Sequence, residues 1–162
     1  MSLRVLDIIE GTTVDGPGFR TAIYFAGCHH QCAGCHNPES WDFNGGKYIS
    51  IESLMEIIEV NDMDVSLSGG DPVYQIDEII AQCKKIRSIG KTVWLYTGFL
   101  FEEILNMPRG RELLENLDVL VDGPFIESLR DTNLLFRGSA NQRIIVCHES
   151  TPENIILWSS DF

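Results

Sequence analysis

The chain has 162 residues, with 24 acidic and 12 basic side chains and a formal net charge of −12. Its length is typical of one domain, here taken as residues 1–162, and its 44% hydrophobic and 22% charged residues are typical of a folded globular protein. The acidic excess disfavours nucleic acids and anionic membrane surfaces as partners, and no apolar stretch is long enough to cross a bilayer.

In the first half of the chain, two predicted strands flank a predicted helix. Residues 21–25 are β-branched and aromatic, which predicts a strand. A helix is predicted over residues 51–60, because apolar residues recur at i, i+3, i+4 and i+7 and Ser50 is a suitable N-cap. Residues 64–67 predict a short strand that ends in a Ser-Gly-Gly turn.

The second half continues the alternation. It predicts helices over residues 77–88, 101–105 and 111–116, and strands over residues 92–96, 118–121, 143–146 and 155–157. Alternating strands and helices are typical of a parallel sheet with crossover helices. At about 30 residues per βα unit, the chain holds about five units, fewer than a closed eight-stranded barrel needs. We therefore predict an α/β fold, an open partial (βα) barrel with about five to six parallel strands and flanking helices.

Unusual residues cluster in the loops that follow the predicted strands. In parallel sheets, ligands bind at the carboxyl ends of the strands. The loops concerned are residues 28–36, 68–72, 97–98 and 122–124. The sequence therefore predicts a ligand site where these loops meet.

Three cysteines with the spacing C-x3-C-x2-C follow the first predicted strand: Cys28, Cys32 and Cys35. Three thiolates within eight residues can wrap one metal centre. A thioredoxin-like redox pair would use Cys32 and Cys35 but leaves Cys28 without a role. The Cys-x-x-Cys-His pattern of haem attachment requires export, whereas residues 1–10 lack the apolar segment of a signal peptide. We therefore expect a cytoplasmic protein whose thiols stay reduced.

Zinc and an iron–sulfur cluster remain as interpretations. Zinc would take the three thiolates and an imidazole from His29, His30 or His36. A four-iron cluster is normally held by four cysteines, so three would leave one iron with an open position, as in catalytic metal sites. The two other cysteines, Cys83 and Cys147, lie at apolar positions and are interpreted as core residues.

The cysteine motif in this position is the signature of the radical S-adenosylmethionine (SAM) superfamily, which the chain resembles. Within it, the chain resembles the family of small proteins that activate the anaerobic ribonucleoside-triphosphate reductase. The resemblance covers nearly the whole chain. It rests on residues 15–20 (DGPGFR), 26–41, 67–72 (LSGGDP), 96–98 (YTG), 121–125 (VDGPF) and 137–143 (RGSANQR), in this order.

The resemblance implies a radical SAM fold and a specific chemistry. Cys28, Cys32 and Cys35 would ligate a [4Fe–4S] cluster, and the amino and carboxylate groups of SAM would chelate its fourth iron. Reductive cleavage of SAM would give a 5′-deoxyadenosyl radical, which removes a hydrogen atom from a glycine of the large reductase subunit. The electron would come from a low-potential donor such as a flavodoxin or ferredoxin.

The resemblance also implies two sets of contact residues. The first would bind SAM and consists of Gly34, Cys35, His36, Gly69, Gly70 and Asp71. Asp71-Pro72 stands where the superfamily commonly has Glu-Pro, so its shorter side chain weakens the case for direct contact. The second set comprises possible contacts with SAM or the protein substrate: Asp15, Gly16, Arg20, Asp122, Arg137, Asn141 and Arg143. A turn at residues 15–20 and a helix-capping role for Asp122 are equally compatible with the sequence.

Two other functions stay open at this point. A small radical SAM enzyme with a different substrate would share the cofactors but not the reductase. A non-catalytic zinc or iron–sulfur module would bind metal without cleaving SAM.

Overall fold

The computed structural model describes residues 1–35 and 38–159. The strands in this part of the chain are β1 (Ser2–Thr12), β2 (Arg20–Phe25), β3 (Lys47–Ser50), β4 (Asp64–Gly69), β5 (Val93–Tyr96), β6 (Val119–Asp122) and β7 (Arg143–Val146). The helices are α1 (Ile51–Asn61), α2 (Ile76–Ser88), α3 (Phe101–Leu105) and α4 (Gly110–Glu115). None of these helices has the length and apolar character needed to cross a bilayer.

The described strands form one mixed sheet in the order β3-β1-β2-β4-β5-β6-β7. The α/β class is confirmed, but the prediction of five to six parallel strands is wrong. Only β2, β4, β5 and β6 run parallel to one another, while β1 is antiparallel to both β2 and β3, and β7 is antiparallel to β6. With β3 and β7 at its edges, the sheet is open, and a barrel is not confirmed.

The antiparallel direction of β7 follows from its connection to β6. A parallel neighbour requires a crossover of a dozen or more residues, usually a helix. Between β6 and β7 the described chain forms only a short 3-10 turn at Glu127–Leu129, so β7 returns antiparallel. The predicted strand at residues 155–157 is reduced to an isolated bridge between Leu157 and Ile145.

The predicted helices are all confirmed, with each bound within one residue of the structure. At α1, the Ser50 side chain accepts a hydrogen bond from the backbone N–H of Ser53, as the predicted N-cap requires. The helix ends at Asp62, which adopts the left-handed conformation with φ 52°.

Side chains alternate between two different faces of the sheet. The helix face packs against all four helices and carries the apolar core. Its strand residues include Val65, Leu67, Leu95 and Leu120, all fully buried. Burying one such side chain contributes about 1.5–3 kcal/mol. Most of the apolar stabilisation of the fold therefore lies on this side.

The other face, which we call the cavity face, is more polar. Tyr24 lies opposite Ser68, and Tyr96 lies opposite Val121. Lower on this face, Trp94 packs edge-on against Phe136 and Trp158, with ring centroids 5.5 and 5.2 Å away. This aromatic cluster closes the bottom of the face and leaves its upper part, at the carboxyl ends of the parallel strands, for a cavity.

Candidate functional site

A cavity of about 310 Å³ lies at the carboxyl ends of the four parallel strands. This volume is at the lower end of the range for small-molecule sites. The predicted loops meet here. The cavity is lined by Asp15, Tyr24, Cys28, His30, Cys32, Cys35, Trp41, Ser68, Gly69, Gly70, Tyr96, Thr97, Gly98, Val121, Gly123, Phe125, Gly138 and Gln142.

All three cysteines of the motif line this cavity. Cys28 is buried, whereas Cys32 and Cys35 are half-buried. Both sides of the loop are held by backbone hydrogen bonds, from Gly27 N–H to Ser40 C=O (2.6 Å) and from Cys28 N–H to Trp41 C=O (3.2 Å). Within residues 1–35 and 38–159, no three His, Cys, Asp or Glu side chains converge as ligands of a single metal ion. The thiols thus share a cavity, and their role as cluster ligands stays a prediction.

Burial dominates the electrostatics of Cys28 and raises the pKa of its thiol to about 11. The backbone N–H groups of His30 and Gln31 oppose this effect, while the nearby Asp71 carboxylate adds to it. A bound metal centre reverses this balance, because a coordinating thiol is deprotonated outright. The buried Cys28 is therefore suited to hold a cationic centre and poorly suited to be a free nucleophile.

Gly69 and Gly70 are required by close backbone packing at the end of β4. Gly69 has φ +102°, and a Cβ atom there would lie 2.2 Å from the backbone N of Phe25. A Cβ atom on Gly70 would lie 2.6 Å from the carbonyl oxygen of Gly27 and 2.7 Å from that of Ser40. Both glycines line the cavity as predicted, and they let the cysteine loop sit directly on β4.

The Asp71 carboxylate is directed into the protein and does not line the cavity. It is fully buried and accepts hydrogen bonds from Val73 N–H (3.0 Å), Thr97 Oγ1 (2.8 Å) and Gly98 N–H (2.9 Å). It also lies 2.7 Å from Nε2 of His30. Asp71 therefore joins the ends of β4 and β5 to the cysteine loop, and any effect on a ligand passes through His30 or Gly98.

His30 is a site residue that sequence reasoning named only as one of three possible zinc ligands, together with His29 and His36. His29 is exposed, but the His30 side chain is only 18% accessible and lines the cavity. Its ring packs edge-on against Phe99, with ring centroids 4.5 Å apart. A Cβ atom on Gly98 would lie 2.5 Å from the ring, so Gly98 is what makes room for it. The sequence signal for this arrangement was the Thr-Gly pair after β5, because the glycine leaves space for a neighbouring ring.

The segment at residues 15–20 reaches the cavity through Asp15 alone. The Asp15 carboxylate accepts a hydrogen bond from the Tyr24 hydroxyl (2.5 Å). Gly16 is packed against Arg20 and Trp94. The buried Arg20 guanidinium donates to Ser66 Oγ (2.9 Å) and to backbone carbonyls of Pro17 and Val65. Gly16 and Arg20 thus shape the wall beneath the cavity and do not line it.

The buried Asp122 forms an ion pair with the half-buried Arg143, and neither residue lines the cavity. Asp122 is fully buried, and its carboxylate accepts hydrogen bonds from Phe101 N–H at the start of α3 (2.8 Å) and from Nε of Arg143 (3.0 Å). Arg143 also contacts Glu102 (2.8 Å). The two carboxylates raise the pKa of Arg143, and Arg143 lowers the pKa of Glu102. The structure thus favours the helix-capping role for Asp122.

The predicted contacts Arg137 and Asn141 hold the loop before β7. Arg137 donates to the carbonyl of Gln142 (2.6 Å), and Asn141 donates to the carbonyl of Pro124 (2.8 Å). Their neighbour Gln142 lines the cavity instead and donates to the carbonyl of Gly123 (3.0 Å). His36, a predicted SAM contact, lies outside the described residues. Gly34 (φ +73°) is exposed, and a Cβ atom there would lie 2.9 Å from the Glu127 side chain.

Two tyrosines on the cavity face differ in their hydrogen bonding. Tyr24 donates to Asp15, whereas the buried hydroxyl of Tyr96 has no hydrogen-bond partner among residues 1–35 and 38–159. Burial is the main cause that raises the pKa of each phenol. Both side chains are therefore neutral, and one of these two cavity-lining residues, Tyr96, has a hydroxyl that the described protein leaves unsatisfied.

The sequence also matches known proteins. Residues 14–145 match the family described as "4Fe-4S single cluster domain". The anaerobic ribonucleoside-triphosphate reductase-activating protein of Salmonella typhimurium is 37% identical over 139 residues, which cover 80% of this chain and 89% of that protein. The protein of the same name from Haemophilus influenzae is 33% identical over 154 residues (88% and 97%), and that of Enterobacteria phage T4 is 34% identical over 140 residues (81% and 86%). The chain therefore belongs to the family of anaerobic ribonucleoside-triphosphate reductase-activating proteins.

Proposed function

We propose that this protein is a radical SAM activase, which uses a [4Fe–4S] cluster and SAM to install a glycyl radical on the large subunit of the anaerobic ribonucleotide reductase. The observation that carries the proposal is that Cys28, Cys32 and Cys35 line one cavity together with Gly69 and Gly70. The family match and the names of the relatives support the same activity.

The residues around the cavity fit these cofactors. The three cysteines would ligate the cluster, and Gly34, Cys35, His36, Gly69 and Gly70 would contact SAM. The unsatisfied hydroxyl of the cavity-lining Tyr96 supports a ligand with polar atoms. When bound, the cluster and SAM supply reductive cleavage of the sulfonium to methionine and a 5′-deoxyadenosyl radical that removes a hydrogen atom from a glycine.

The chain's own residues would hold the ligand and exclude water. Gly69 and Gly70 present backbone groups to the cavity without side chains. Trp41, Val121 and Phe125 provide apolar wall, which limits the access of solvent to a reactive species. Asp71 fixes the strand ends by hydrogen bonds to Thr97 and Gly98, so its contribution to SAM binding would be indirect.

We further propose that the protein works in the cytoplasm with a low-potential electron donor such as a flavodoxin or ferredoxin. Its net charge of −12 disfavours nucleic acids and anionic membrane surfaces as partners. An open sheet suits a protein substrate, because a segment of the reductase must reach the cavity.

The test is anaerobic reconstitution with iron, sulfide and a reductant. We expect about four irons per chain, release of 5′-deoxyadenosine from SAM, and a glycyl-radical EPR signal when the reductase is added. Cys32→Ala should lose the iron and both activities, while Cys147→Ala, a buried cysteine outside the cavity, should keep them. Zinc in place of iron would refute the proposal, and SAM cleavage without a glycyl radical would point to another substrate.

A further inference from the structure

Tyr96 lines the cavity, and its buried hydroxyl is an unsatisfied polar atom next to it. Its hydroxyl is buried and has no hydrogen-bond partner in the part of the chain that the structure describes. Tyr24, the other tyrosine of the cavity, donates to Asp15 at 2.5 Å. The same fold thus provides an acceptor for one phenol and none for the other.

An unsatisfied buried polar atom lowers the stability of a protein as long as no ligand binds to that atom. A buried donor without a partner has given up its hydrogen bond to water and gained none in the protein. Phenylalanine would fill the same space at position 96 without that cost. The hydroxyl therefore needs a partner that is present only when the cavity is filled.

The position of Tyr96 defines what this partner can be. Tyr96 is the last residue of β5, lies opposite Val121 on β6, and lines the cavity beside Thr97 and Gly98. Burial and the nearby Asp15 carboxylate keep the phenol protonated, so it offers a donor. A ligand oxygen that accepts a hydrogen bond satisfies it, whereas an apolar group leaves it unpaired.

We propose that the Tyr96 hydroxyl donates a hydrogen bond to an oxygen of the ligand bound in this cavity, and that it is a binding residue of the site. The inference rests on the proposed function. Two sources supply such an oxygen: SAM itself, or a backbone carbonyl of the reductase segment that carries the glycine. With either source, the Tyr96 hydroxyl lowers the stability of the free protein and raises the affinity of the cavity for its ligand.

The test is the Tyr96→Phe variant of the reconstituted protein, with Tyr48→Phe as the matched control. Tyr48 lies on the edge strand β3 with 69% of its surface exposed and takes no part in the cavity. Three quantities are measured for each variant: the thermal midpoint of the apoprotein, the dissociation constant of SAM, and the glycyl-radical yield at limiting reductase. Wild-type protein that fails to bind SAM would refute the proposed function, independently of Tyr96.

We expect Tyr96→Phe to unfold at the same or a higher temperature than wild type, because it removes an unsatisfied hydroxyl. A SAM dissociation constant raised by about 2- to 12-fold would support the inference with SAM as the partner. Unchanged SAM binding with a reduced glycyl-radical yield would support it with the reductase segment as the partner. A lower thermal midpoint would overturn it by revealing a partner within the protein, as would binding and yield equal to those of Tyr48→Phe.

Discussion

The helix face of the sheet provides most of the apolar stabilisation, whereas the cavity face lines the candidate ligand site. On the helix face, strand residues such as Leu67 and Leu95 are fully buried among the apolar side chains of four helices. On the cavity face, tyrosines, a serine and glycines border the cavity together with apolar side chains. Each face contains one buried polar atom without a hydrogen-bond partner in the described chain, Gln82 Oε1 and Tyr96 Oη. Gln82 does not line the cavity, whereas Tyr96 does. We therefore interpret the unsatisfied atom of Gln82 as a cost in stability and that of Tyr96 as a contact for a ligand.

The largest effect is expected from a cavity-forming substitution on the helix face. Leu95→Ala removes a fully buried side chain next to Tyr96 and should lower the free energy of unfolding by about 2–5 kcal/mol. SAM affinity of the folded fraction should stay unchanged, because Leu95 points away from the cavity. Urea unfolding and SAM titration measure the two quantities. If the fully folded variant bound SAM more weakly than wild type does, the two faces would be energetically coupled.

An intermediate effect is expected where the faces meet at the cysteine loop. Gly70→Ala places a Cβ atom 2.6 Å from the carbonyl oxygen of Gly27, so the loop must shift. We expect a loss of about 1–3 kcal/mol in stability and a lower iron content after reconstitution. Gly45→Ala is the control, because its Cβ atom would come no closer than 3.1 Å to Asp42. Equal iron content in both variants would contradict the prediction.

A gain in stability is expected at the unsatisfied atom of the helix face. Gln82 is fully buried, its amide nitrogen lies 3.0 Å from Sδ of Met55, and its amide oxygen has no partner within residues 1–35 and 38–159. Gln82→Leu should therefore raise the free energy of unfolding by about 1 kcal/mol without changing SAM binding. Urea unfolding of the apoprotein measures it. A loss of stability would mean that the amide oxygen is hydrogen-bonded after all.

The smallest effect is a pH dependence at the ion pair of Arg143. Arg143 lowers the pKa of Glu102 in the folded state, so this carboxylate stabilises the fold above its ordinary pKa of about 4.3 and stops doing so as the pH falls through its folded pKa. Glu102 is 49% exposed, which limits the contribution to about 0.2–1 kcal/mol. At about pH 5 and above, the free energy of unfolding of wild type should exceed that of Glu102→Gln by this amount. Urea unfolding should show the difference disappear between about pH 5 and pH 3. An advantage that persists at pH 3 would contradict the assignment.

The elements with local signals were predictable from the sequence. The four helices follow the apolar period and the cap at Ser50, and the parallel strands follow short apolar runs. The strands β1 and β3 were not predicted, since β1 carries Arg4, Asp7 and Glu10 and owes its conformation to pairing with distant segments. The sheet was consequently expected to be more parallel than it is.

The candidate site was predictable in position but not in the direction of its side chains. The cysteine loop and the Gly-Gly pair meet because the carboxyl ends of neighbouring parallel strands lie together. Asp122 was placed among the possible contacts, although Val121 before it lines the cavity and alternation directs Asp122 to the other face. The roles of His30 and Gln142 depend on contacts with other loops, which one sequence does not encode locally.

The hydrogen bonds that hold the cysteine loop have a consequence for how the metal centre is assembled. Gly27 and Cys28 are bonded to Ser40 and Trp41, and β3 then pairs with β1, all through groups of the protein itself. In small zinc domains, by contrast, the metal provides the folding energy and chelators denature the protein. Here protein groups alone make the hydrogen bonds at both ends of the cysteine loop. The two ends of the loop should therefore be in place when a metal centre is assembled, so that reconstitution can proceed on the folded chain.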